Sequence, residues 1–139
     1  MNKLRIVLDT NVLLVSISSK SKYHWIYQLL INGKFNLLLS NEILTEYDEI
    51  ISTKYNNEVS KDVINTLLTL PNILKKDVFY NWRLIQSDLD DNKFADCAIN
   101  GNADYLVTND KHFSIFKNIT FPYIKVINIK EFKNITNLK

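Results

Sequence analysis

The chain has 139 residues, 46% of them hydrophobic and 23% charged, and a formal net charge of +2 from 17 basic and 15 acidic side chains. This length suits one domain spanning residues 1–139, and this composition suits a packed globular protein, which excludes a disordered or low-complexity chain. The slight positive balance permits a nucleic-acid partner without indicating one.

The first segment, Lys3 to Leu8, carries Ile6, Val7 and Leu8 in succession. Consecutive apolar residues predict a strand buried on both faces, as in a parallel sheet covered by helices. Asp9 stands at its end, where open α/β sheets gather ligand and catalytic groups. A polar cluster at residues 18–22 predicts a loop. Residues 23–31 place Trp25, Ile26, Leu29 and Leu30 at helical spacing, with Asn32-Gly33 as the stop. Residues 35–39 predict a second buried strand, and Ser40 can cap the following helix at 41–55.

On that helix Glu46 and Asp48 flank the apolar arc about equally, and helical geometry does not choose between them. Residues 59–70 predict another amphipathic helix, ended by Pro71, and residues 73–80 a strand or an irregular link. An acidic cluster, residues 87–92, precedes a helix at 94–99 that carries Asp96 on its polar strip and closes at residues 100–102. Residues 104–108 predict a third buried strand with Asn109-Asp110 at its end, then a short helix at 112–116, a last strand at 125–129 and a polar tail. Alternating helices and buried strands predict a parallel α/β sandwich. The lone Cys97 excludes an internal disulfide and reads as a small core residue. No apolar run has membrane-spanning length and no signal peptide is visible, so a cytoplasmic, non-membrane protein is expected.

Two strands end alike, Leu8-Asp9-Thr10-Asn11 and Val107-Thr108-Asn109-Asp110. As neighbours in a parallel sheet they would bring Asp9 and Asp110 to one crevice. An acid from the helix after the second strand and one from the helix before Tyr105 would join them. An all-carboxylate site without histidine or cysteine suits Mg²⁺ or Mn²⁺. The reaction class that follows is metal-assisted phosphodiester hydrolysis. Plainer roles compete: Asp9 and Asp110 as helix caps, the acidic cluster as a solvated loop, Lys93 and Arg83 as solvated charges, and His24 and His112 as surface or helix-end residues. Tyr23, Trp25 and Tyr27 read as core or dimer contacts.

Four pieces carry a family resemblance: residues 7–12 (VLDTNV), 39–46 (LSNEILTE), 88–96 (DLDDNKFAD) and 103–110 (ADYLVTND). Their order and spread resemble a PIN-domain ribonuclease, of the short single-domain kind that serves as the toxin of a toxin–antitoxin pair (VapC-like). The resemblance implies a three-layer α/β/α sandwich around a five-stranded parallel sheet. It implies site acids at Asp9, Glu46, Asp96 and Asp110, selecting Glu46 over Asp48, with support from Asn11, Ser40, Asp91 and Thr108. Asp9, Asp96 and Asp110 would hold Mg²⁺ or Mn²⁺. Many relatives carry Leu-Glu at Ala95-Asp96 and Gly at Asn109. The resemblance further implies an RNA substrate, a homodimer and a small antitoxin partner. Two other readings are a catalytically silent binding module of the same fold and a phosphatase of the haloacid-dehalogenase kind. The latter needs an Asp where this chain has Asn11.

Overall fold

A computed structural model describes residues 3–76, 92–111, 113, 116 and 123–137. Five strands form one sheet: β1 (Arg5–Leu8), β2 (Asn36–Leu39), β3 (Ile73–Lys75), β4 (Tyr105–Val107) and β5 (Val126–Ile127). Their order is β3-β2-β1-β4-β5, and every neighbouring pair is parallel. Ile6, Val7 and Leu8 are all 0% exposed, as are Leu37, Leu38 and Leu39, so both faces of the central strands are covered. This is the α/β sandwich that the run of consecutive apolar residues predicts.

Six helices complete it: α1 (Thr10–Ser16), α2 (His24–Ile31), α3 (Asn41–Lys54), α4 (Asn57–Thr69), α5 (Asn92–Asn100) and α6 (Ile129–Asn137). Capping fixes several starts. Ser40 Oγ accepts the Ile43 N–H at 3.2 Å and opens α3, with Glu42 in the first turn and Lys54 in the last, where each complements the helix dipole. Asn56 Oδ1 accepts the Val59 N–H at 2.8 Å and opens α4. At Gly101, just past α5, a Cβ would lie 2.9 Å from Leu38 Cδ1 and 3.0 Å from the Cys97 carbonyl oxygen, so a larger residue would have to push Leu38 aside where that turn closes on β2.

The C-terminal segment departs from its sequence reading. Residue 129 begins a helix rather than ending a strand, and the polar tail is α6. Asn128 Oδ1 accepts the Glu131 N–H at 2.8 Å while Glu131 Oε1 accepts the Asn128 N–H at 3.0 Å, a reciprocal capping box. Ile129 and Phe132 are buried; the Phe132 ring meets Trp25 at 5.7 Å and Phe35 at 5.6 Å between centroids. Residues 10–16, whose sequence shows only a partly apolar segment, form α1. Of the expected link at 73–80, residues 73–75 are strand, and 77–80 lie outside the described residues.

Candidate active site

The chain leaves β1 toward β2 and β3, then returns to place β4 and β5 on β1's other side. The order of strands reverses between β1 and β4, which is where open α/β sheets bind ligands. Leu8 pairs with Val107, so Asp9 and Thr108 emerge level at the carboxyl end of that seam. The Asp9 N–H donates to the Val107 carbonyl at 3.1 Å, and Thr108 Oγ1 donates to Asp9 Oδ2 at 2.8 Å. Asp9 is the N-cap residue of α1 by position, but its side chain makes no capping hydrogen bond. The cap-only reading therefore fails, and the carboxylate points toward Thr108 instead.

Asp9 is 5% exposed. Burial pushes its carboxyl up to about 6, and the neighbouring charges of Asp110 and Glu46 push the same way; the Thr108 hydroxyl and the Thr10 backbone N–H oppose them. Two other sequence-predicted acids are thus within electrostatic reach of Asp9. Asp110 is half-buried, and its N–H donates to Thr108 Oγ1 at 3.0 Å. Its backbone carbonyl accepts the Phe113 N–H at 3.3 Å.

Glu46 reaches the site from α3. Thr10 Oγ1 donates to its Oε2, and Lys93 Nζ from α5 lies 2.7 Å from its Oε1. Lys93, read in the sequence as a solvated charge, is an ion-pair partner inside the site. Asp48 goes elsewhere: Ser60 Oγ donates to its Oδ1 at 2.5 Å, tying α3 to α4. That contact separates the two acids that helical spacing left equivalent. Tyr47, fully buried between them, donates its hydroxyl proton to the Leu8 carbonyl at 2.6 Å and pins α3 to the end of β1.

Asp96 is buried on α5, which packs against β1, β2, β4 and α3. Burial, and then its charge, push the adjacent Cys97 thiol up to about 12, which leaves that buried thiol protonated and inert. Asn11 is exposed and lines a hollow of about 250 Å³ with Asp9 and Asp110. Thr108 is buried against Asp9; Ser40 is buried too, and acts through the α3 cap that sets Glu46 in place. Asp91, Arg83 and His112 lie outside the described residues. His24 Nδ1 is 2.8 Å from the Ser16 carbonyl oxygen, joining α1 to α2. Sequence reasoning missed Thr10, Lys93 and Tyr47 as organisers of the site. Only Thr10, one residue past Asp9, carried a local signal.

A sequence profile described as PIN domain matches residues 5–112 of this fold. The chain belongs to the PIN-domain family. No curated protein matches the chain by sequence. Among solved structures, this PIN domain is similar to VapBC2 from Rickettsia felis, bound to a DNA fragment from their promoter, at 22% identity and a TM-score of 0.61, covering 90% of this chain and 98% of that one. It is also similar to VapC20 of Mycobacterium tuberculosis, described as a sarcin–ricin loop cleaving toxin (13% identity, TM-score 0.60, 79% and 93% covered). FitAcB from Neisseria gonorrhoeae shares 18% identity at a TM-score of 0.57, over 88% of this chain and 96% of that one. The family resemblance read from the four motifs, and the fold it implied, are borne out.

The candidate ligands Asp9, Asp96 and Asp110 offer oxygen alone, the donor type that a hard divalent cation prefers. Among the described residues, no three acidic, histidine or cysteine side chains stand close enough to cage an ion. Glu46 is held by Thr10 and Lys93, whose ammonium supplies positive charge at the site. Burial is the main cause that raises Asp9, with the charges of Asp110 and Glu46 adding to it, and a bound cation would offset both. Among the described residues, no helix is long and apolar enough to cross a membrane.

Proposed function

We propose that this PIN domain is a Mg²⁺- or Mn²⁺-dependent endoribonuclease and the toxin of a toxin–antitoxin pair. The observation that carries this reading is the buried Asp9 carboxylate, raised by desolvation and by the charges of Asp110 and Glu46 at the point where the strand order reverses. Asp9 and Asp110, which line one hollow, would hold the ion, with Asp96 proposed as a third ligand by the family resemblance alone; the ion would supply Lewis acidity toward a phosphoryl oxygen and acidify a coordinated water.

The other residues prepare that site. Thr108 orients Asp9 and, through the Asp110 N–H, sets the backbone of the second acid. Thr10 and Lys93 fix Glu46 at the edge of the cluster, and Ser40 and Tyr47 fix the helix that carries it. Asn11, exposed beside Asp9, offers an amide to a phosphate oxygen. A cognate antitoxin and a homodimeric assembly are part of the same proposal, by the family resemblance. Asp91 is proposed to line the site by resemblance alone.

The test is cleavage of single-stranded and structured RNA with Mn²⁺ and with chelator. Metal-dependent cleavage by wild type, abolished in Asp9→Asn, is expected. Equal cleavage by the variant would assign the activity to another site or to a contaminant.

A further inference from the structure

The hollow that holds Asp9, Asn11 and Asp110 shares a wall with a second, larger one of about 410 Å³. Tyr23, Asn109 and Ile129 form that wall and line both hollows. The second hollow is also lined by Lys22, Lys130 and Lys133. Two of these lysines come from α6, the helix formed by the polar tail. All three are exposed, and among the described residues none forms an ion pair and no carboxylate lines this hollow. Glu131, on the same helix, is turned back to the Asn128 N–H in the capping box.

The wall is a fixed feature. Asn109 Oδ1 accepts the Ile129 N–H at 3.2 Å, which ties the end of β4 to the start of α6. The Lys22 ammonium lies 5.1 Å from the centroid of the Tyr23 ring, so that lysine sits on the ridge between the two hollows. One side of the ridge is therefore anionic and the other cationic.

We infer that the Lys22–Lys130–Lys133 hollow is a backbone-phosphate subsite for single-stranded RNA, holding the nucleotides that flank the phosphodiester at Asp9 and Asp110. The inference rests on the nuclease reading for the position of that bond. An acidic hollow of about 250 Å³ is smaller than the usual site for a drug-sized ligand, so it admits roughly one nucleotide. The rest of the strand has to leave over an edge. The Tyr23–Asn109–Ile129 edge opens onto three lysines with charge opposite to the phosphates.

The test is fluorescence anisotropy of a labelled single-stranded oligouridine, measured in EDTA and again in Ca²⁺, with wild type and the triple variant Lys22→Gln/Lys130→Gln/Lys133→Gln. The side chains are exposed, and a melting temperature close to that of wild type verifies the fold. The variant is expected to bind at least about tenfold more weakly at moderate salt. Its log–log salt slope is expected to shrink by about 2, at about 0.7 for each phosphate that a lysine no longer neutralises. The triple Lys→Arg variant is expected to bind as wild type does. Equal affinity and slope for wild type and the glutamine variant would overturn the subsite, as would no oligouridine binding by wild type in either condition. An oligoglutamate peptide that competes as well as the RNA would also overturn it, reassigning the hollow to an acidic protein segment. Because this binding needs no turnover, its failure is separable from that of the nuclease reading. A subsite that binds RNA in a protein without Asp9-dependent cleavage would stand while the nuclease reading fell.

Discussion

Thr108 Oγ1 donates to Asp9 Oδ2 at 2.8 Å and accepts the Asp110 N–H at 3.0 Å, so one hydroxyl couples the two strand-end acids. A buried hydrogen bond to a carboxylate stabilises more than a neutral one, and removing its donor leaves the acceptor unpaired. Thr108→Val keeps the side-chain shape and loses the donor. It is expected to lower stability by about 1–3 kcal/mol at neutral pH, while Thr108→Ser stays near wild type. Denaturant unfolding of both variants checks this. Equal losses for Val and Ser would assign the effect to packing rather than to the hydroxyl.

The burial of Asp9, with two acids beside it, gives stability a definite pH slope. Asp9 titrates at about 6 in the folded chain against an ordinary value of 3.8, so between these values the folded state binds more protons than the unfolded one. Stability is therefore expected to fall as pH rises through that window. For a carboxylate this buried, the loss is about 3 kcal/mol. Asp9→Asn removes the titration, and its unfolding free energy is expected to be flatter from pH 4 to pH 6 and higher than wild type at pH 7. Chemical denaturation across that range, without divalent ions, measures both. A wild-type curve that rises through the window would contradict the desolvated, crowded environment of Asp9.

The fold was legible where burial wrote a pattern into the chain. Ile6-Val7-Leu8 and Leu37-Leu38-Leu39 announced strands covered on both faces, and Ser40 and the Asn32-Gly33 pair marked element ends. The C-terminal helix was hidden because its buried stripe is thin. Only Ile129, Phe132 and Ile135 carry it among polar residues, and the Asn128–Glu131 capping box was the local sign available. In the site, Asp9 and Asp110 were legible because strand ends place them. Glu46 and Asp48 were not separable by angle, since their difference lies in distant partners: Thr10 and Lys93 for one, Ser60 for the other. No spacing rule joins Lys93 to Glu46, 47 positions away.

That ion pair yields a prediction on metal binding. Lys93 supplies the positive charge beside Glu46, with both side chains about four-fifths buried (18% and 21% exposed). Lys93→Met leaves the carboxylates to repel one another, so the variant is expected to melt below wild type in EDTA and to gain more from Mn²⁺. Ligand binding to the folded state alone stabilises by about 2.7 kcal/mol at a hundredfold excess over Kd. A smaller gain is expected for Asp9→Asn than for wild type. Thermal melts with and without Mn²⁺ decide it; a Lys93→Met shift no larger than that of wild type would remove Lys93 from competition with the ion.

Tyr47 tests the support beneath Glu46 separately. Its hydroxyl satisfies the Leu8 carbonyl at 2.6 Å inside the core, one residue before Asp9. Tyr47→Phe preserves the ring and leaves that carbonyl without this donor, at an expected cost of about 1–3 kcal/mol. Activity is expected to fall with it if α3 shifts. An unfolding free energy equal to wild type would show the bond to be dispensable.

The last prediction concerns α6. Phe132 is 0% exposed and packs its ring against Trp25 and Phe35, joining the C-terminal helix to α2 and to the start of β2. Truncating a buried phenylalanine to alanine removes both its transfer free energy and the packing around it, about 3–5 kcal/mol in total. Phe132→Ala is expected to lose that much and to melt roughly 10 °C lower, by the usual scaling for a domain of this size. Ile129 would lose its anchorage, and with it the wall it forms with Tyr23 and Asn109 between the two hollows. Phe132→Leu, which keeps most of the apolar volume, is expected to lose less than half as much. Calorimetry of the two variants separates the outcomes: a Phe132→Ala melt within a degree or two of wild type would show that α6 is not part of the cooperative core.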